Sequence, residues 1–421
     1  MLDNIPRFDM KKPPRRQCLR PLMWLICTPS LIAHKHKLTK VRMEGIKPPY
    51  LLLCNHNAFI DIKVATMAVF PHRANYVVAI DGFLKREWLL RLIGCICKRK
   101  FTRDIRLIRH LKTVVERGDI AVIYPEARYS LCGTTAVLPN SIGMLAKHLN
   151  VPVVTLICNG HHVNSPFYNL PNHHVKGTTA TMTCLFTAKE LMSRSVEEVN
   201  EAIGQAFLYD DFAWQKENNI RIPYKKRAVG LHKVLYQCPN CRTEYQMSSF
   251  GTTLTCLSCK KEWEMTELGE LQAKSGDTEF SHIPDWYEWE RANVREEVEK
   301  GTYFFTCKAR VDALPNAKGY IDLGDATLTH DMKGFTLAGS YQNEEYRVEI
   351  SVPELYSVHI EYEYLGKYGD CVDLNTSRDT LYCYPKDCAF SATKIALATE
   401  ELYEHYWKGQ GKTMTVRQNK I

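Results

Sequence analysis

The sequence predicts an α/β domain on a mixed, largely parallel sheet, then a small cysteine-knuckle module, then a β-rich domain closed by a C-terminal helix. Three observations carry this reading. Between residues 50 and 158, short apolar runs alternate with segments of helical period, the pattern of strands joined by crossover helices. Residues 238–259 hold two Cys-x2-Cys pairs. From Gly301 the hydrophobic period switches to two, with turn clusters between the runs.

A chain of 421 residues, 45% of them apolar, has room for two or three cores. The expected divisions are 1–228 for the α/β domain with an N-terminal surface segment, 234–270 for the cysteine module, 282–408 for a linker helix and the β-rich domain, and 409–421 for a tail. Net charge is +8 but unevenly placed: residues 1–237 carry 35 Lys and Arg against 17 Asp and Glu, a surplus of +18, and the rest carries −10. A cationic front half suits phosphates or an anionic membrane face. The acidic back half argues against nucleic acid. Sixteen cysteines without a secretory leader imply a reducing compartment.

In chain order, Arg7, Lys11, Lys12, Arg15, Arg16 and Arg20 precede the apolar run Leu22–Cys27, which Pro29 separates from Leu31 and Ile32. A bilayer span needs about 20 apolar residues, and this run is about half that. It is read either as an amphipathic segment lying in a membrane interface or as a helix packed on the domain's own core. Lys35, Lys37, Lys40 and Arg42 lead into a strand ending near Met43. Strands are then expected at 50–54, 75–80, 120–124 and 151–158, and helices at 60–69, 85–92, 104–116, 141–149 and 193–213. Gly118 is the expected stop for the 104–116 helix. Ligands of such sheets gather at the carboxyl ends of the strands. His56 and Glu126 both fall just past such ends.

The central motif is Asn55-His56-Asn57-Ala58-Phe59-Ile60-Asp61. A strand-to-helix turn there can fold Asp61 back onto His56, fixing the ring tautomer and leaving the other nitrogen as a base. No Ser, Thr or Cys stands at a nucleophile elbow, so a substrate hydroxyl would be the nucleophile, as in acyl transfer to an alcohol. The plainer alternative is a histidine that caps a helix. Cys54 reads better as a buried small apolar residue than as a thioester nucleophile. Tyr124-Pro125-Glu126-Ala127-Arg128-Tyr129-Ser130 offers an acid, an arginine and a hydroxyl on one turn. Lys98-Arg99-Lys100 follows an apolar run and is either a solvated face or an anion site. Val151-Pro152-Val153-Val154 alone is only core.

Together these four pieces resemble the glycerolipid acyltransferases, the family that includes lysophosphatidate acyltransferase, over about residues 20–215. That family shows Asn-His-x4-Asp, an arginine after an apolar strand, Phe-Pro-Glu-Gly-Thr-Arg-Ser and a Val-Pro strand. The resemblance implies His56 as base and Asp61 as its orienting partner. It implies Asn55, Arg99, Lys100, Glu126, Arg128 and Ser130 as acceptor contacts. The sequence departs where Gly-Thr-Arg becomes Ala127-Arg128-Tyr129: the arginine arrives one position early. Either the turn is rebuilt so that Arg128 meets the acceptor's phosphate, or Tyr129 has changed what the site accepts.

Cys238, Cys241, Cys256 and Cys259 have the spacing that places four thiolates around a structural zinc, in a ribbon whose hairpin turns near Gly251. Ser275–Ser281 reads as a linker and Asp285 as the cap of a helix to about Lys300. The strand-like runs at 303–305, 319–323, 326–329, 334–338, 346–350, 357–362, 371–374 and 381–384, with a helix at 393–407, resemble a pleckstrin-homology-like or GRAM-like module. It lacks a basic phosphoinositide cluster, which favours protein docking or self-association.

The expected activity is O-acyl transfer from acyl-CoA or acyl carrier protein to a lysophospholipid such as lysophosphatidate, in phospholipid biosynthesis. The expected place is cytoplasmic, peripheral on the inner, anionic face of the cell membrane. Acyl transfer to another lysolipid or an aminoacyl lipid is the alternative enzyme reading. A non-catalytic membrane-associated scaffold working through its zinc ribbon is the other.

Overall fold

The computed structural model describes residues 5–416. It divides into two compact units, one built chiefly from Asp9–Phe167 and Pro171–Ile220, the other chiefly from Arg221–Thr413.

The first unit runs α1 (Arg20–Ala33), β1 (Lys37–Val41), β2 (Leu51–Cys54), α2 (Ile60–Ala68), β3 (Ala74–Ala79), α3 (Glu87–Leu92), β4 (Cys95–Lys98), α4 (Ile105–Glu116), β5 (Ile120–Ile123), β6 (Leu138–Pro139), α5 (Ser141–Leu149), β7 (Val153–Asn159), α6 (His161–Asn164), β8 (Thr179–Phe186), α7 (Ala188–Ser193), α8 (Val196–Ala206) and α9 (Asp211–Glu217). Its seven-stranded sheet has the order β1-β8-β7-β2-β5-β3-β4. Every pairing is parallel except β7 with β8, so the sheet is mixed and largely parallel. The central strands are fully buried Leu, Val and Ala, as a sheet covered on both faces requires. Leu107, Leu111, Val114 and Val115 of α4 pack with Ile142, Ala146 and Leu149 of α5 in its core.

Several elements differ from the sequence expectation. The helix expected over 193–213 is three helices. A Ser195–Glu198 capping box restarts the chain as α8, and the Asp210 carboxylate, accepting from the Phe212 and Ala213 N–H groups, starts α9. Strand β8 is absent from the expectation because its buried positions are Ala180, Met182 and Cys184, alternating with threonines. Helix α1 continues through Pro29. Leu22, Leu25, Ile26 and Ile32 on it are 48%, 70%, 59% and 70% exposed, whereas Trp24 packs edge-on against Phe70 at 4.6 Å. No helix among the described residues is long and apolar enough to cross a membrane.

The second unit begins with α10 (Leu231–Val234) and the four-stranded antiparallel sheet β9 (Met247–Phe250), β10 (Thr253–Cys256), β11 (Glu262–Met265) and β12 (Leu271–Ala273). Helix α11 (Ile283–Glu299) follows. Its N-cap is His282, not Asp285, which lies in the first turn after Pro284. Then come β13 (Phe304–Ala313), β14 (Ile321–Asp331), β15 (Gly334–Tyr341), β16 (Glu344–Ser351), β17 (His359–Glu361), β18 (Cys371–Asn375), β19 (Thr380–Lys386) and α12 (Ala392–Gly409). These seven strands form one antiparallel sheet in the order β16-β15-β14-β13-β19-β18-β17. The runs expected separately at 319–323 and 326–329 are the single strand β14. Arg291 of α11 donates to Glu400 at 2.7 Å and Glu401 at 3.3 Å on α12, a buried, compensated charge cluster.

The expected tail at 409–421 is corrected in part. Thr415 and Val416 form β20, paired with β6 of the first unit's own residues. Residues 417–421 lie outside the described residues.

Candidate active site

Strands β7, β2, β5, β3 and β4 run parallel, so their carboxyl ends share one rim of the sheet. His56 leaves the end of β2, Glu126 and Tyr129 follow β5, and Arg99 and Lys100 follow β4. The chain turns from β2 into α2 at Asn57–Phe59, and this turn brings Asp61 back to His56. Asp61 Oδ2 accepts the Asn57 N–H at 2.6 Å, the Ala58 N–H at 2.9 Å and His56 Nδ1 at 3.2 Å. That bond leaves Nε2 as the remaining His56 nitrogen, and the side chain is 26% exposed. Burial alone would raise the Asp61 carboxyl. The bonds from His161 and His56 outweigh it and hold Asp61 well below the usual carboxylate range.

The second motif holds the first. Glu126 Oε1 accepts the His56 N–H at 2.9 Å, and the Ser130 N–H donates to the His56 carbonyl at 2.9 Å. Both main-chain groups of His56 are therefore fixed by the loop after β5. Glu126 Oε2 accepts the Ala136 N–H at 2.7 Å and lies 3.2 Å from Tyr209 Oη, which is itself 2.9 Å from Asn57 Oδ1. One tyrosine proton cannot serve both oxygens. A protonated Glu126 donating to Tyr209, with Tyr209 donating to Asn57, satisfies all three. Burial pushes Glu126 up to about 8, against the lowering effect of its backbone bonds, in accord with this pattern.

The residues expected to contact the acceptor have these surroundings. Glu126 and Ser130 are fully buried, and Ser130 Oγ donates to the Thr134 carbonyl. Asn55 is also buried. Its amide donates to the Cys158 carbonyl at 2.8 Å and accepts the Cys158 N–H at 2.8 Å, locking β2 to β7. Lys100 is paired with Asp81 at 3.2 Å. Arg99 is 8% exposed and Arg128 4%. Cys54 is buried, and burial followed by the Asp61 charge pushes its thiol well up, which leaves it unfit as a nucleophile.

Ala127, where the family motif has glycine, adopts the left-handed conformation at φ 56°, at about 1–2 kcal/mol for a residue with a Cβ. Arg128 turns inward, and Tyr129 takes the place of the motif's arginine. The His56 ring lies between two tyrosines, Tyr124 at 4.4 Å and Tyr129 at 4.3 Å between centroids. Tyr129 lies 5.7 Å from Phe167.

Sequence reasoning missed His161, Tyr209 and Asp211. His161 had a signal: a Gly-His pair directly after an apolar strand, the same kind of position as His56. Tyr209 and Asp211 had none, because only the fold brings residues beyond 205 under the His56 turn.

In the second unit, Cys238 Sγ lies 3.7 Å from Cys259 Sγ, and Cys241 Sγ 3.7 Å from Cys256 Sγ. Four thiolates about 2.3 Å from a tetrahedral zinc stand roughly 3.75 Å apart. The four-cysteine cluster therefore fits the metal.

The rim of the parallel sheet thus carries a hydrogen-bonded His56–Asp61 pair with one ring nitrogen left over. Residues 32–159 match the family model described as Acyltransferase, less than a third of the chain. The match supports an acyltransferase domain in the first unit. The chain is also similar to the solved structure of the 1-acyl-sn-glycerophosphate (LPA) acyltransferase PlsC from Thermotoga maritima, at 15% identity and TM-score 0.36, over 45% of this chain and 78% of that one. No curated protein matches the chain.

Proposed function

We propose that the chain is an O-acyltransferase that moves a fatty acyl group from an acyl thioester, on coenzyme A or an acyl carrier protein, to the hydroxyl of a lysophospholipid such as lysophosphatidate. The observation that carries this is the His56–Asp61 pair, with its outward ring nitrogen on the strand rim, inside the stretch that matches the acyltransferase model. His56 Nε2 takes the acceptor's proton as its oxygen attacks the thioester carbonyl. The C–O bond forms, the C–S bond breaks, and the proton passes from His56 to the departing thiolate. Asp61 keeps the ring oriented and stabilises the imidazolium between these steps. The cationic front half suits an anionic donor and an anionic membrane surface. The exposed apolar face of α1 supports peripheral binding there, on the cytoplasmic leaflet.

Tyr129 and Phe167 beside His56, with Arg128 turned inward, favour a second reading of the acceptor: a hydroxyl-bearing lipid that presents a neutral surface next to the reacting oxygen. The four cysteines would hold a structural zinc, closing the ribbon with no open coordination position. The seven-strand order ending in α12 supports the pleckstrin-homology-like reading of the last domain. The test is a product screen: purified protein with mixed acyl thioesters, lysophosphatidate, other lysophospholipids and monoacylglycerol, read by mass spectrometry. Acylated product from at least one lysolipid is expected. Thioester that is only hydrolysed, or left intact, contradicts the proposal.

A further inference from the structure

We infer that His161 is a positioning residue for the His56–Asp61 pair, whose Nδ1–H locks the far oxygen of Asp61. The inference rests on the acyltransferase reading of His56. His161 lies beyond the residues matched by the family model.

The fold places it there by three steps. Strand β7 neighbours β2 and runs the same way, with Leu156 opposite Cys54, so β7 continues three residues further and delivers Gly160 and His161 just beyond the turn that follows β2. Gly160 then turns the chain in the left-handed region, at φ 84°, so close to Trp214 that a Cβ would lie 2.6 Å from its ring. Only glycine fits this turn. Finally, Asp211 accepts the Gly160 N–H at 2.9 Å and the His162 N–H at 2.7 Å, clamping the turn on either side of His161.

The result is a bond from His161 Nδ1 to Asp61 Oδ1 of 2.5 Å. Asp61 Oδ2 already accepts two backbone N–H groups and His56. The carboxylate is therefore held at both oxygens, and its rotation is fixed while charge develops on His56.

His161 is fully buried. Its ring lies 5.7 Å from that of His36 between centroids, and burial pushes His36 down to about 4. Burial raises the Cys158 thiol, which stays neutral. Asp211 is pushed up to about 7 by burial and spends its oxygens on backbone N–H groups. His161 thus holds Asp61 Oδ1 from inside the core, and Asp61 keeps its negative charge for the His56 imidazolium.

The inference is tested with His161→Phe, His161→Gln and His161→Asn, assayed with palmitoyl-CoA and with lysophosphatidate or monooleoylglycerol as acceptor. Phe removes the donor. Gln places its amide where Nε2 was, and Asn places its amide where Nδ1 was. Phe and Gln should lower kcat by about 10- to 100-fold through a misplaced base, with KM for the thioester unchanged. Both should move the acidic limb of kcat/KM upward by about one pH unit, because Asp61 loses a donor that offsets its charge while Oδ2 stays in place. Asn should return the limb to its wild-type position. If the Phe variant does not fold, Gln carries the test. A limb that stays put or moves down in the folded donor-less variants, or one that moves as far in Asn as in Gln, overturns the inference. His56→Ala in the same assay separates the two levels. If it retains wild-type turnover, the reading of His56 as the base falls; if the wild type itself transfers no acyl group, the acyltransferase reading falls. If His56→Ala is inactive and the limb is unmoved, only the role of His161 falls.

Discussion

Glu126→Gln separates two roles that a motif acid can have. If Glu126 contacts the acceptor, the variant should raise the acceptor's KM and leave the fold alone. The structure gives the opposite outcome. A glutamine can keep its carbonyl on the His56 N–H and donate its amide to Tyr209, but the Ala136 N–H then faces an NH2 group instead of an acceptor. One unsatisfied buried donor costs about 1–3 kcal/mol. Glu126 has its folded pKa raised from 4.5 to about 8, so between these values the folded state holds the extra proton. The stability this contributes is complete below 4.5 and is lost as pH rises through about 8. Urea unfolding at pH 6 should therefore show the variant less stable by about 1–3 kcal/mol, with the gap narrowing at pH 9. Turnover should fall because the main chain of His56 shifts, with the acceptor's KM unchanged. A raised acceptor KM together with unaltered stability would refute this account.

Cys238→Ser or Cys259→Ser should lose the bound zinc, about one per chain in the reduced wild-type protein, and loosen the β9–β10 hairpin; metal analysis and hydrogen exchange check this, and metal-free wild type would contradict it. Replacing Leu22, Leu25 and Ile26 with Ser should release the protein from anionic vesicles without lowering its melting temperature, since all three are exposed on α1; unchanged flotation would contradict the membrane role of this face. Arg128→Ala should lower turnover on lysophosphatidate and on monoacylglycerol alike, because the arginine is turned inward. Tyr129→Ala should change the ratio between the two acceptors, because its ring lies on His56. A loss confined to the phosphate-bearing acceptor in Arg128→Ala would return that arginine to phosphate recognition.

Much of the sheet could be read from the sequence because its central strands are short, wholly apolar runs at parallel-sheet spacing. The reading failed where caps or alternation replaced that signal. Ser195 and Asp210 each restart a helix inside one apolar-periodic stretch, and β8 hides its buried face among threonines. The His56–Asp61 pair was legible because its partners lie five residues apart and one turn joins them. The hydrogen-bond partners of Asn55, Glu126 and Ser130 were not, since each depends on which backbone group another part of the fold brings within reach. The hydrogen-bond partners on the far side of Asp61 and Glu126, His161 and Tyr209, are 100 and 83 residues away in sequence, and spacing rules carry no information over such separations.

The most direct test of the central claim is the rate of acyl transfer by His56→Ala against wild type, with palmitoyl-CoA and the acceptors that the product screen identifies. The account predicts a folded variant that still binds the donor and whose turnover is about 10²- to 10⁴-fold lower on every acceptor, because the base is gone while the recognition contacts remain. Turnover near the wild-type rate on any of them would contradict it.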